Sequence, residues 1–429
     1  MLAVRSRKRD EKAHLMPEHA RRIMEALAAG SASGDLVQDA LEAIRKHLGM
    51  EVAYLSEFVD GRSVFRRVDA PGLEHLIKPG DSQSLEDVYC NHILEGRLPE
   101  LIPNTAKEPL ARAMPITDAV PIGSHVSIPI RLADGTPYGM FCCLSPAPNE
   151  TLNDRDLQTM KMFADLAARH VSEEQAAKTA KQRTAERIRR AIDTQAFRIA
   201  YQPIWNLNPL RPVGMEALCR FDENSGQTPD IWFREADEAG LGAELEMAVI
   251  RKALESLPSL PEDVYLSVNA SPGMVAGDTF AGMLESLPLK RVVLEITEHA
   301  RVEDYRALDR VLAPLRASGL RVAVDDAGAG YASLQHIVQL RPNLIKLDMT
   351  LTRDIDKDRA RRSLAAALIF FAAETGTRIV AEGIETEGEL NSLMALGVAS
   401  GQGYLLGRPV PLADAIELCA KRTDRQAQG

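Results

Sequence analysis

The chain has 429 residues, 45% of them hydrophobic and 26% charged, with a mean hydropathy of −0.16 and a formal net charge of −10. That length exceeds one ordinary domain and predicts two or three, in a chain of soluble globular composition. The acidic balance argues against a protein that coats a nucleic-acid polymer, because phosphate contacts need a basic surface. Residues 1–15 read as a solvated, disordered tail; their basic start has no apolar core behind it, which argues against a secretory signal. Helical periodicity begins near Pro17, with Ile23, Leu27 and Ala28 on one face, and resumes after a Gly/Ser break with Leu36, Ala40, Ile44 and Leu48. Strand patterns follow at 51–58 and 63–68, with Asp60-Gly61 between them as a hairpin turn. A helix is predicted over 85–95. Strands at 124–131 and 139–144 flank the turn Asp134-Gly135, and a long helix starts after Asn153-Asp154.

This order of helix, strand pair, helix, antiparallel hairpin and helix is an α+β arrangement. It resembles a GAF domain in the opening 48–55, the strand 126–130, the segment 138–141 and the closing helix with 163–167. The resemblance implies a small-molecule sensor module and does not name its ligand; a purely dimerising role is the alternative. Cys90 lies in an apparent helix and reads as a buried core thiol. His92 and His125 read as structural. Cys142 and Cys143, being neighbours, face opposite sides of their strand. Together with Cys219 and Cys419 they show no zinc spacing and no disulfide framework, which fits a reducing cytoplasm.

From 154 to 194 the sequence has neither Pro nor Gly. Leu157, Met160, Phe163, Ala164, Leu166, Ala167 and Val171 form an apolar stripe, and the sequence turns polar from Ser172. One long helix is expected, serving either as a short parallel coiled coil or as a solvated spacer. It offers a route for coupling two domains.

Beyond it, strand and helix patterns alternate. Strand candidates are 198–205, 212–218, 264–269, 291–296, 321–326, 344–347, 378–381 and 398–405. Eight strands in this space predict an α/β fold with a C-terminal (β/α)8 TIM-like barrel, whose usual size is ~250 residues. An open doubly wound sheet is the alternative, weakened because no GxGxxG opens the first unit. The longest apolar run, 364–373, is about half of the ~20 residues a membrane span needs.

Polar residues sit at or near the strand ends: Glu216, Asn269, Glu295, Asp325 with Asp326, Lys346, Glu382 and Gln402. In a barrel such ends share one mouth. Several acids buried together imply a cation, and oxygen ligands with one amide point to Mg²⁺ or Mn²⁺. Asp325 and Asp326 diverge unless the chain bends, and Gly328 and Gly330 offer that bend. Read alone, the pair suits two cations, or one Asp caps the next helix.

The motifs Gln202-Pro203, Glu216-Ala217-Leu218 with Arg220, Ser267-Val268-Asn269, Glu295 with Glu298, Asp325-Asp326, Lys346-Leu347-Asp348, Glu382 with Glu385, and Gln402-Gly403-Tyr404 stand in one order. In that order the segment 195–425 resembles the EAL-domain cyclic di-GMP phosphodiesterases of bacterial signalling. The resemblance implies hydrolysis of cyclic di-GMP to linear pGpG with two Mg²⁺ or Mn²⁺ ions. It assigns Glu216, Asn269, Glu295 and Asp325 to one metal and Asp325 with Asp326 to a second, and places Glu382 at the metal site partly through water. Lys346 contacts the attacking water, with Gln402 beside it. Gln202 and Arg220 contact substrate. Glu298 props the loop after the paired aspartates, a loop that also feeds a dimer contact. The implied organisation is a tail at 1–15, a GAF-like domain at 16–172, a helical linker at 173–194 and the barrel at 195–425. A cytoplasmic homodimer is expected, formed through the barrel loop, the connector helix or the GAF-like domain.

Two positions depart from the family pattern. The loop usually reads Asp-Phe-Gly-Thr-Gly; here Ala327 and Ala329 replace Phe and Thr. Phe221 follows Arg220 where Trp is common. The competing reading is a catalytically inactive cyclic di-GMP receptor or interaction scaffold, disfavoured because no ligand position is lost.

Overall fold

The computed structural model describes residues 35–222, 226–277, 279–296, 304–328 and 331–426. The predicted tail, the helix near Pro17, and Glu298, Ala329 and Gly330 lie outside the described residues. The chain divides at Ala180/Lys181 into two compact units.

The N-terminal unit is built on strands β1 (Val52–Val59), β2 (Arg62–Asp69), β3 (Ser82–Ser84), β4 (Leu101–Ile102), β5 (Ser124–Arg131) and β6 (Pro137–Ser145). They form one antiparallel sheet in the order β3-β2-β1-β6-β5-β4. Strand alternation gives it two apolar faces. Ala53, Leu55, Val126, Phe141 and Cys143 pack with helix Leu36–Leu48 and with Met160, Phe163 and Ala167 of helix Asp154–Asp193. Val52, Tyr54, Met140 and Cys142 face the other way, onto Tyr89 and Cys90. The two adjacent cysteines therefore do lie on opposite faces. All five cysteines are buried thiols outside any disulfide. The helix expected over 85–95 is instead a 3-10 turn, Leu85–Asp87, followed by helix Tyr89–Leu94. Val88 breaks the run: it is extended (φ −112°, ψ 156°), and its side chain is buried in the core.

The C-terminal unit contains β7 (Phe197–Leu207), β8 (Leu210–Phe221), β9 (Tyr265–Ala270), β10 (Val292–Ile296), β11 (Arg321–Ala327), β12 (Leu344–Leu347), β13 (Arg378–Ala381) and β14 (Ser400–Gly401). They close into a barrel in sequence order, β14 returning to β7. All eight predicted strands are present, with two differences. The ladder is not wholly parallel: β7 runs antiparallel to both β8 and β14. A hairpin joins β7 to β8 through Asn208-Pro209, and no crossover helix separates them. The last strand is two residues rather than eight. Beyond Gly401 the chain bonds to the loop after β13, with Gln402 O accepting from Ile384 N (3.1 Å) and Leu405 N donating to Ile384 O (3.0 Å).

The barrel interior is plugged by Ile204, Tyr265, Val293, Ala323, Leu344 and Val380, with Val213 beside them. Outside it, helices Tyr305–Ala317, Arg359–Thr375 and Glu387–Ala395 start at Asp304, Asp358 and Thr386, whose side chains accept from first-turn N–H groups. Ile188 and Ala191, near the end of helix Asp154–Asp193, pack with Phe197, Phe221 and Trp232. Phe221, the aromatic departure, stacks on Trp232 at 4.4 Å.

Candidate functional site

The interior plug explains where the polar residues point. Side chains two apart on a strand share a face. Asn269 lies four residues beyond the plug residue Tyr265, with Ser267 between them. Glu295 is two beyond Val293, Asp325 two beyond Ala323, and Lys346 two beyond Leu344. Glu382 follows Val380 at the same spacing. Glu216 follows Gly214, where an added Cβ would meet the Tyr265 ring at 2.4 Å. Because β7 runs backwards, its contribution precedes its plug residue: Gln202 comes two before Ile204 and pairs with Glu216 across the hairpin. Seven strands and the residues after them thus deliver polar groups to one mouth, above the apolar plug.

Glu216 does not end its strand. It lies mid-way along β8, which continues to Phe221, but parallel pairing with β9 stops at Ala217, so Glu216 stands where the barrel wall ends. Arg220 is four residues further on, half-buried, and donates to Cys219 O at 2.8 Å.

The bend at the paired aspartates is made by Asp326 itself. Its φ is +51°, in the left-handed region, and the β11–β12 register slips between Val324 and Ala327. This bulge brings both carboxylates to one side. Oxygens of Asp325, Asp326 and Glu382 come within 4.8 Å of one another. Gly328, with φ +112°, makes the next turn.

Lys346 is the hub. Its Nζ lies 2.6 Å from Glu382, 2.7 Å from Glu295, 3.1 Å from Asp325 and 3.4 Å from Glu216, with the side chain 2% exposed. Amides and a hydroxyl finish the cluster. Asn269 Nδ2 donates to Glu216 (3.1 Å), Gln402 Nε2 donates to Glu216 (2.7 Å) and Glu382 (2.9 Å), and Ser267 Oγ donates to Glu295. Thr352 Oγ1 donates to the Glu382 carbonyl. Gln402 Oε1 is buried without a partner among the described residues. A cleft of about 320 Å³ opens on this cluster, and Gln202, Asp348, Glu385 and Tyr404 also line it.

The charges do not balance. Four carboxylates (Glu216, Glu295, Asp325 and Glu382) face one ammonium, and Asp326 adds an oxygen beside Asp325 and Glu382. Burial opposes the Lys346 charge, yet Asp325, Glu216, Glu295 and Glu382 hold its pKa well above the usual lysine range. Burial pushes Glu295 up to about 8, Lys346 offsetting it only in part, with Glu216 and Asp325 adding repulsion. Glu382 is raised for the same reasons. Glu216 goes the other way: burial raises it, but Lys346, Gln402 and Asn269 together hold it below the ordinary range. The cluster as it stands retains protons that added positive charge would release. All donors are oxygens, apart from the Lys346 ammonium and amide groups. This set fits hard divalent cations.

Sequence reasoning named every carboxylate of this cluster, together with Asn269, Lys346 and Gln402. It missed the roles of Ser267 and Thr352. Ser267 was readable, since it shares the inner face with Asn269 two residues on. Thr352 was not, because its contact depends on how the short helix Met349–Thr352 folds over the mouth.

A closed α/β barrel with its polar groups gathered at the carboxyl ends of the strands defines the class. The family description of the EAL domain matches residues 185–409, and that of the GAF domain matches residues 34–171. The chain belongs to the EAL domain family and carries a GAF domain N-terminal to the barrel. Among curated relatives, an uncharacterized protein, y4lL of Sinorhizobium fredii, is 29% identical over 62% of this chain and 32% of its own length. The cyclic di-GMP phosphodiesterase PA2567 of Pseudomonas aeruginosa is 32% identical over 51% of this chain and 40% of its own. The chain spans about a third to about half the length of the curated relatives it matches first. A solved structure of PaMucR phosphodiesterase in complex with c-di-GMP is 28% identical, with a TM-score of 0.50, over 54% of this chain and 99% of that one.

Proposed function

We propose that the barrel hydrolyses cyclic di-GMP to linear pGpG using two Mg²⁺ or Mn²⁺ ions, under control of the N-terminal GAF domain. The observation that carries the reading is the surplus of converging carboxylates around one buried ammonium. Relatives named as cyclic di-GMP phosphodiesterases support it. Glu216, Asn269, Glu295 and Asp325 would hold one ion, and Asp325 with Asp326 the other, Glu382 assisting partly through water. When bound, such ions supply activation of water and neutralisation of phosphate and leaving-group charge.

The chain's own residues do the rest. Gln202 and Arg220 bind and orient the substrate. Lys346, held in place by four carboxylates, presents positive charge to the attacking water and keeps its proton at neutral pH. Gln402 fixes Glu216 and Glu382 relative to each other. The organisation that goes with this reading is a tail at 1–15, a sensor domain at 16–172, a linker at 173–194 and the catalytic barrel at 195–425, working in the cytoplasm as a homodimer.

The test is incubation of the full chain with cyclic di-GMP and Mg²⁺ or Mn²⁺, with chromatography of the products, beside Glu216→Ala. We expect pGpG from the wild type, none from the variant, and none from either in a chelator. Retained binding without pGpG would replace this reading with that of a receptor.

A further inference from the structure

The barrel axis is polarised. Inward-facing columns that end in acids at one mouth begin in arginines at the other. Arg321, Ala323 and Asp325 alternate along β11, and Arg378 and Val380 on β13 lead to Glu382. The apolar plug lies between, so the floor is a space separate from the candidate catalytic cleft.

That floor opens into a cavity of about 890 Å³. Six cationic side chains line it (Arg211, Lys290, Arg291, Arg321, Arg341 and Arg378) against two carboxylates, Glu262 and Asp263. The local sign is the reverse of the chain's net charge of −10. Two of the six are committed to the fold. Arg291 donates to the carbonyls of Leu260 (2.9 Å), Pro261 (2.8 Å) and Val264 (3.2 Å), and Arg211 faces Asp263 at 3.6 Å. The other four, Lys290, Arg321, Arg341 and Arg378, make no ion pair with a described residue.

Arg321 is the anchor. Its guanidinium lies 4.4 Å over the Tyr265 ring, and its Nε is buried with no hydrogen-bond partner among the described residues. Burial weakens its hold on its proton, Tyr265 strengthens it, and the neighbouring Arg378 charge weakens it again. Like charges set side by side, with an unused donor between wall and floor, are relieved by an anion.

We propose that the N-terminal floor of the barrel binds a small anion carrying a diphosphate or triphosphate group. A lone phosphate would leave most of the four cations unmet and most of the cavity unfilled. A di- or triphosphate brings enough charge to engage Arg321, Arg378, Lys290 and Arg341 together, and guanidinium forks suit phosphate oxygens. The site is independent of the chemistry at the opposite mouth.

The test is isothermal titration calorimetry on the full chain at about 0.1 M salt. The probes are inorganic tripolyphosphate, GTP and orthophosphate, each in chelator. The variants are R341Q/R378Q, both exposed positions on the floor, and K178Q/K181Q, exposed on helix Asp154–Asp193, which removes the same charge elsewhere. We expect wild type to bind tripolyphosphate or GTP and to bind orthophosphate at least about tenfold more weakly. R341Q/R378Q should lose at least about tenfold in affinity, and K178Q/K181Q should match wild type. Equal affinity for tripolyphosphate and GTP means that the phosphate chain alone is read; preference for GTP means that the nucleoside adds contacts. Absence of binding by wild type, an unaffected floor variant, or equal losses in both variants would each overturn the proposal.

Discussion

Asp326 holds its carboxylate beside Asp325 only because its own backbone adopts a left-handed conformation. Asn tolerates that region well, so Asp326→Asn removes charge without removing the bend. Hydrolysis should fall much further than cyclic di-GMP binding, measured by product chromatography and calorimetry; unchanged turnover would take Asp326 out of the metal site. Glu295 makes a pH prediction. Its pKa in the folded chain is about 8, far above the usual carboxylate range, so the folded state holds a proton that the unfolded state gives up. The stability this contributes is full at acid pH and drains as pH rises through about 8. Glu382 acts in the same direction. Glu216, held low, loses its contribution only as pH falls below the ordinary carboxylate range. In chelator, the midpoint of thermal unfolding should therefore decline between about pH 5 and about pH 8, and Mn²⁺ should restore most at the alkaline end. A Mn²⁺ effect of equal size at all pH values would contradict the shared-proton account.

The segment after β11 tests how an element positions the site. Ala327 is buried, and Gly328 follows at φ +112°. A Cβ on Gly328 would meet Leu351 Cδ1 at 2.2 Å. Gly328→Ala should cost about 1–3 kcal/mol in denaturant unfolding and lower hydrolysis by displacing the paired acids; wild-type values for both would show that the turn is not constrained. The strand runs and their polar ends were legible because a barrel strand needs a period-two column, apolar below and functional above, and that column is written in residues such as Val293 and Glu295. Two features were not read. The direction of β7 was in fact signalled: six residues between strand candidates 198–205 and 212–218 leave no room for a crossover, which requires a dozen or more. The bend at the paired aspartates was expected from the glycines that follow; that Asp326 itself makes it was not signalled, because nothing local demands a left-handed aspartate and the surrounding barrel imposes it.

At the scale of the whole molecule, each unit encloses a cavity of its own. In the GAF domain, a cavity of about 60 Å³ is lined by Cys90, Ser63 and His125. The last two are almost fully buried and offer polar atoms without partners among the described residues. Control of the barrel by that domain requires the two units to share free energy, and the shared element is helix Asp154–Asp193. Its first turns bury Met160, Phe163 and Ala167 in the N-terminal core, and its last turns bury Ile188 and Ala191 in the C-terminal one. A truncation at 150 would strip the partners from Phe163 and leave an apolar stripe in water, confusing loss of regulation with aggregation. The informative cut falls at the unit boundary, leaving Lys181–Gly429. Its integrity is checked first by a cooperative thermal transition in circular dichroism. If the N-terminal unit biases the barrel, the hydrolysis rate of this fragment should differ from that of the full chain by about fivefold or more, a coupling of about 1 kcal/mol, and sedimentation should show a change in oligomeric state. A fragment that folds, hydrolyses at the full-chain rate and sediments in the same oligomeric state would show that the two units share a helix but no regulation.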